Sequence, residues 1–125
     1  MEPLKIHKTS HHPEINFDAE TGLLEISGRS LPEQVLTLYK PILKWVDEYT
    51  MNPHEETIFT INLDYINSSS SKYLLEILKK LNDYFKKGNK VFVKWYFDAF
   101  DEDAEESGEE YEELLDLNFE LIQKK

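Results

Sequence analysis

Four consecutive serines, Ser68-Ser69-Ser70-Ser71, follow Asn67 where a strand-like run gives way to an amphipathic one. One serine is enough to cap a helix, because a single side-chain oxygen accepts a free first-turn amide. Four hydroxyls exceed that need. A helix N-terminus also favours a phosphate, through its free N–H groups and its macrodipole. The position therefore suits a phosphoacceptor, whose modification adds about −1.5 to −2 charges. Ordinary cap and surface duty for the same serines is the plain alternative.

Two carboxylates are the next candidates. Asp64 and Asp98 fall just after the ends of two strand-like runs, the edge where open α/β sheets form their sites. A Mg²⁺ or phospho-aspartate site would use such residues. Receiver domains also need an acidic pair after their first strand, and none stands there. Turn and capping duty is the simpler reading of both aspartates. His7 and His11 would share a face only on a helix, and Pro13 biases residue 12, His12, away from helix. A solvated terminus accounts for them, and a loop position accounts for His54. There is no P-loop, GxGxxG or GxSxG. No metal or other cofactor is expected.

Short elements can position these residues. Ile15 and Phe17, then Leu24 and Ile26, alternate with polar residues around the link Asp18-Ala19-Glu20-Thr21-Gly22, which reads as a β-hairpin. Ser30-Leu31-Pro32-Glu33 matches a capping box. Val35, Leu36, Tyr39, Ile42, Leu43, Val46 and Tyr49 then follow helical spacing, with a kink or short break expected at Pro41. Thr57–Leu63 and Val91–Phe97 read as strands. Between them Leu74, Ile77, Leu78, Leu81 and Phe85 form a helical stripe that Gly88 should stop. A third helix is expected to carry Tyr111, Leu114 and Leu115, with an interruption near Gly108. Asn118–Ile122 reads as a last strand. The order β-β-α-β-α-β-α-β predicts an opening antiparallel pair and then parallel strands joined by right-handed crossovers.

With 125 residues the chain has room for one domain. Residues 1–12 read as a flexible lead-in and residues 13–125 as the domain. The 40% hydrophobic content supports a packed core. The absence of cysteine excludes disulfides, thiolate-bound zinc and thiol catalysis, and fits a reducing compartment. Charge is uneven. Ten of the 25 acids lie in residues 101–116, which contain no base, while the rest of the chain holds 15 acids against 14 bases. Such a balance disfavours nucleic acid and anionic membranes. The acidic run reads equally as a solvated helix face or as a device that repels wrong partners. No apolar segment reaches the ~20 residues of a membrane span, and the N-terminus has no signal-peptide run, so a cytoplasmic protein is expected.

The layout resembles a STAS domain, the fold of anti-sigma-factor antagonists, which carry a phosphorylatable Ser or Thr where a helix starts after the third strand. More specifically, the chain resembles the SiaC-type family of biofilm-regulating phosphoproteins. The stretches that carry the resemblance run nearly end to end: Thr21-Gly22-Leu23-Leu24 with Gly28, Ser30-Leu31-Pro32-Glu33, Trp45, Leu63-Asp64-Tyr65-Ile66-Asn67-Ser68-Ser69-Ser70, and Val93-Lys94-Trp95-Tyr96-Phe97-Asp98. The resemblance implies an α/β, STAS-like single domain with a mixed open sheet. It implies a binding protein rather than an enzyme, toggled by a Ser/Thr protein kinase and a PP2C-type phosphatase. The unphosphorylated form would bind and activate a diguanylate cyclase and so raise cyclic di-GMP. The family's acceptor is a Thr directly after the Tyr-hydrophobic-Asn element. Here that position is Ser68, with Ser69 and Ser70 as adjacent alternatives, and Asn67, Ser68, Ser69 and Ser70 are the expected contact residues. The competing readings are a small acidic metal-dependent hydrolase using Asp64 and Asp98, and a constitutive scaffold without a switch.

Overall fold

Alternation of large apolar and polar residues drives the strands, and a computed structural model of the protein, which describes residues 1–124, shows where each face goes. In β2 (Glu14–Asp18) and β3 (Leu23–Ser30), Ile15, Phe17, Leu24 and Ile26 point into the core and are at most 1% exposed. In β4 (Glu56–Ile66) and β5 (Lys90–Asp98) the inward residues include Phe59, Ile61, Val93 and Trp95. Their neighbours Thr60, Asn62, Lys94 and Tyr96 point the other way and are half-buried. With β1 (Leu4–Ile6) at one edge, β6 (Asn118–Lys124) completes a six-stranded sheet in the order β1-β2-β3-β4-β5-β6.

The pairing is the expected mixture. β2 and β3 are antiparallel, and β3 to β6 are parallel. Each crossover advances by one strand, so right-handed connections put α1 (Val35–Met51), α2 (Ser68–Lys86) and α3 (Glu102–Leu114) on one face. Residues Leu74, Ile77, Leu78 and Leu81 of α2 are fully buried, and Phe85 packs on the core's margin. Gly88, with φ +99°, ends that helix by donating its amide to the Phe85 carbonyl at 2.9 Å.

Several details differ from the expectations. Leu4–Ile6, inside the stretch read as a lead-in, forms β1 and pairs antiparallel with β2. Three residues are too few to show a period in sequence, and it is the exposed edge of β2 that recruits them. Lys125, the last residue of the expected domain, lies outside the described residues. Ser30 does not cap α1. It ends β3, in register with Ile66 of β4, and α1 starts four residues beyond the capping-box position, after a Gln34 that makes no side-chain cap. α1 also runs unbroken through Pro41. Thr37 and Pro41 are both exposed, so the carbonyl that Pro41 cannot serve faces solvent. Leu114 is 62% exposed, because α3 ends there and the chain turns to bury Leu115 and Leu117 instead.

Gly108 is the sharpest of these differences. It does not interrupt α3, and it is the one fully buried residue of that helix. A Cβ there would lie 2.5 Å from Leu121 Cδ2 and 2.7 Å from Trp95 Nε1. The glycine therefore lets α3 approach β5 and β6 closely, while Trp95 donates its indole N–H to the Ala104 carbonyl at 3.0 Å. Gly108→Ala should gain about 1 kcal/mol of helix propensity and lose about 1–3 kcal/mol to overpacking. A net loss is expected, read as a lower denaturation midpoint at unchanged slope. A raised midpoint would show that α3 stands off the sheet.

Candidate functional site

The site is built where β3 and β4 run out together. The Asn67 amide donates to the Ser30 carbonyl at 2.9 Å, which pins the end of β4 and turns the chain into α2. Asn67 is the N-cap. Its Oδ1 accepts from the Ser70 amide at 2.9 Å and from the Ser69 hydroxyl at 3.3 Å. Its carbonyl accepts from the Ser71 amide at 3.0 Å and the Ser71 hydroxyl at 3.2 Å.

This cap sorts the four serines. Ser69 is exposed but its hydroxyl is held by Asn67. Ser70, an alternative acceptor on sequence grounds, is 0% exposed. Its hydroxyl accepts from Ser30 at 3.0 Å, and Ser30 in turn lies 2.6 Å from the Tyr39 hydroxyl. Burial raises the pKa of Tyr39 above its ordinary value of 10.0, against the opposing pull of the hydrogen bonds from Ser30 and Ser70, so the phenol stays neutral. Its ring stacks on Tyr73 with centroids 5.6 Å apart. Ser71 is half-buried and bonded to the backbone. Ser68 alone is exposed with a hydroxyl that has no hydrogen-bond partner among the described residues. It is the first residue of the helix, where amides lack intrahelical acceptors and the dipole favours negative charge.

The other candidates are placed differently. Asp64 and Asp98 do converge at the ends of β4 and β5, but on a cation of the chain itself. Lys124 Nζ lies 3.3 Å from Asp64 and 3.9 Å from Asp98. His11 Nδ1 is 3.0 Å from the Ser10 hydroxyl, and His54 Nδ1 faces the Glu56 backbone. Among the described residues no group of three or more His, Cys, Asp or Glu side chains is arranged to hold a metal ion. No helix among them is long and apolar enough to cross a membrane. Sequence reasoning missed the Ser30–Tyr39 pair behind the cap. It also missed Arg29, whose guanidinium lies 5.5 Å from the centre of the Tyr65 ring on the same edge.

Comparison with known proteins agrees with this geometry. An uncharacterized protein of Pseudomonas aeruginosa (strain UCBPP-PA14) is 30% identical over 119 residues, covering 95% of this chain and 94% of the relative. A chain in the crystal structure of the diguanylate cyclase SiaD in complex with its activator SiaC, from Pseudomonas aeruginosa, superposes with a TM-score of 0.92 at 28% identity, over 97% of this chain and 99% of that one. SiaC of Pseudomonas aeruginosa superposes at 0.91 with 27% identity, over 99% and 100%. Residues 6–124 match the family described as SiaC family regulatory phosphoprotein, which leaves only the extreme ends of the sequence outside the match, and the chain belongs to that family.

Proposed function

We propose that this protein is a phosphorylation-controlled activator of a diguanylate cyclase, with Ser68 as the switch. The observation that carries the reading is the free, exposed hydroxyl of Ser68 on the first turn of α2, flanked by serines whose hydroxyls are already bound. Family membership supports a regulatory phosphoprotein, and the SiaD–SiaC complex supports the class of partner.

The mechanism is local. In the unmodified state Asn67, Ser68 and Ser69 offer a partner a small, neutral, polar surface. A phosphate on Ser68 adds bulk and about −1.5 to −2 charges. A partner shaped for a hydroxyl would then have to desolvate that charge unpaired, which is costly. Asp101 and Asp103 line the cleft near the helix start, while Asp64 is paired with Lys124. The first-turn amides and the dipole keep α2 intact. A Ser/Thr kinase reaches Ser68 in this conformation without unfolding anything, whereas reaching Ser70 requires opening the contact with Ser30 and Tyr39. A PP2C-type phosphatase would restore the hydroxyl.

We assign no turnover to Asp64 and Asp98, which share Lys124. The direct experiment adds the purified, unphosphorylated chain to the diguanylate cyclase of its own organism and follows cyclic di-GMP production. The rate should rise with added protein and saturate. A flat response would overturn the assignment.

A further inference from the structure

Phe100 is 99% exposed. It occupies the short loop between Asp98, the end of β5, and Glu102, the start of α3. The fold makes no use of its ring, and a phenyl group held wholly in water is the kind of apolar anchor that interfaces bury. Its position matters more than its exposure. Lys124 lies within 3.9 Å of both Asp64 and Asp98, so the ends of β4 and β5 meet. Tyr65 follows Asp64 directly and is 48% exposed. Ser68 comes three residues later. Phe100, Tyr65 and Ser68 therefore share the sheet edge at the carboxyl ends of the parallel strands.

A cleft of about 220 Å³ opens on this edge between the starts of α2 and α3. Its walls include Tyr65, Ser71 and Trp95, and every charged side chain that lines it is a carboxylate: Asp64, Asp101 and Asp103. We infer that Phe100 and Tyr65, flanking this acidic cleft, form the contact surface for the diguanylate cyclase, which presents an apolar pocket for Phe100 with Lys or Arg side chains beside it. The inference rests on the proposed function and adds the anchor and the partner's chemistry. Charge complementarity selects the occupant. A second copy would bring the same carboxylates, from a chain of net charge −11, against this edge, and like charges at an interface are strongly unfavourable. A basic partner gains from Asp101 and Asp103, whereas Asp64 is already paired with Lys124. Ser68 does not line the cleft, so a phosphate there meets the part of the partner shaped for a hydroxyl and not its basic side chains.

The test uses the full chain, unphosphorylated, against the same cyclase, with affinity and association rate measured at two salt concentrations. Phe100→Ala should weaken binding by about tenfold or more, as truncating a central aromatic anchor does, with no change in thermal midpoint. Asp103→Lys should slow association several-fold and flatten its salt dependence. Glu113→Lys makes the same charge change about 15 Å away along α3 and should leave both nearly unchanged. Failure of the unsubstituted chain to bind the cyclase overturns the proposed function and this inference together. Normal binding by the unsubstituted chain with equal affinity for Phe100→Ala, or equal effects of Asp103→Lys and Glu113→Lys, overturns this inference alone. A dimer of the free chain that Phe100→Ala dissociates would assign the surface to a second copy and overturn it as well.

Discussion

Ser68→Asp and Ser68→Ala should differ by on the order of a hundredfold or more in their power to activate the cyclase, since a desolvated unpaired charge costs several kcal/mol and about 1.4 kcal/mol is tenfold. Both should fold. Ser68 makes no side-chain hydrogen bond among the described residues, so alanine removes nothing that holds the cap. Aspartate on the first turn sits well with the helix dipole. Their unfolding free energies should stay within about 0.5 kcal/mol of that of the unsubstituted protein. The alanine form should activate normally and the aspartate form weakly. Equal activation by the two would remove the charge mechanism, provided that the phosphorylated protein behaves in the same way.

Two residues along, the same substitution should have the opposite consequence. Ser70→Asp places a carboxylate where nothing is exposed, against the Ser30 hydroxyl and beside Tyr39. No basic group is among its hydrogen-bond partners. Burying that charge, or forcing it to stay protonated, should cost about 3 kcal/mol or more. Chemical denaturation would show it as a large fall in midpoint, and loss of activation would follow from unfolding rather than from charge at the surface. A Ser70→Asp protein as stable as Ser68→Asp would mean that the first turn of α2 is not packed against Ser30 and Tyr39.

The contrast between Ser68 and Ser70 shows how much could be read in advance. Strand–helix alternation after residue 30 and the junction at Asn67-Ser68 are local patterns, and both appear in the structure. The four serines cannot be separated by residue type. Helical phase separates them: Ser70 lies one turn before Leu74 and so begins the buried stripe that continues through Ile77, Leu78 and Leu81. That phase is written in the sequence, but a polar residue on an apolar face carries no hydrophobic mark of its burial. Ser30 departs from its capping-box pattern for a different reason. Its capping-box spacing to Glu33 is real, but a buried partner nine residues later, Tyr39, claims the hydroxyl. Gly108 carries no local mark of its role, since its use is a close approach to Trp95 and Leu121, which only the packed sheet brings together. The convergence of Asp64 and Asp98 was legible, but Lys124, 60 residues from Asp64 in sequence, was not.

Phosphorylation at Ser68 as the control of cyclase activation is tested most directly with the modified protein itself. The chain is phosphorylated by its cognate kinase, the site is mapped by mass spectrometry, and cyclic di-GMP production by the cyclase is followed as phosphorylated and unphosphorylated chain are titrated in. The expected result is a single phosphate on Ser68, saturable activation by the unmodified chain, and little or none by the phosphorylated form until a PP2C-type phosphatase removes the group. Phosphate on another residue, or full activation by protein phosphorylated at Ser68, would contradict it.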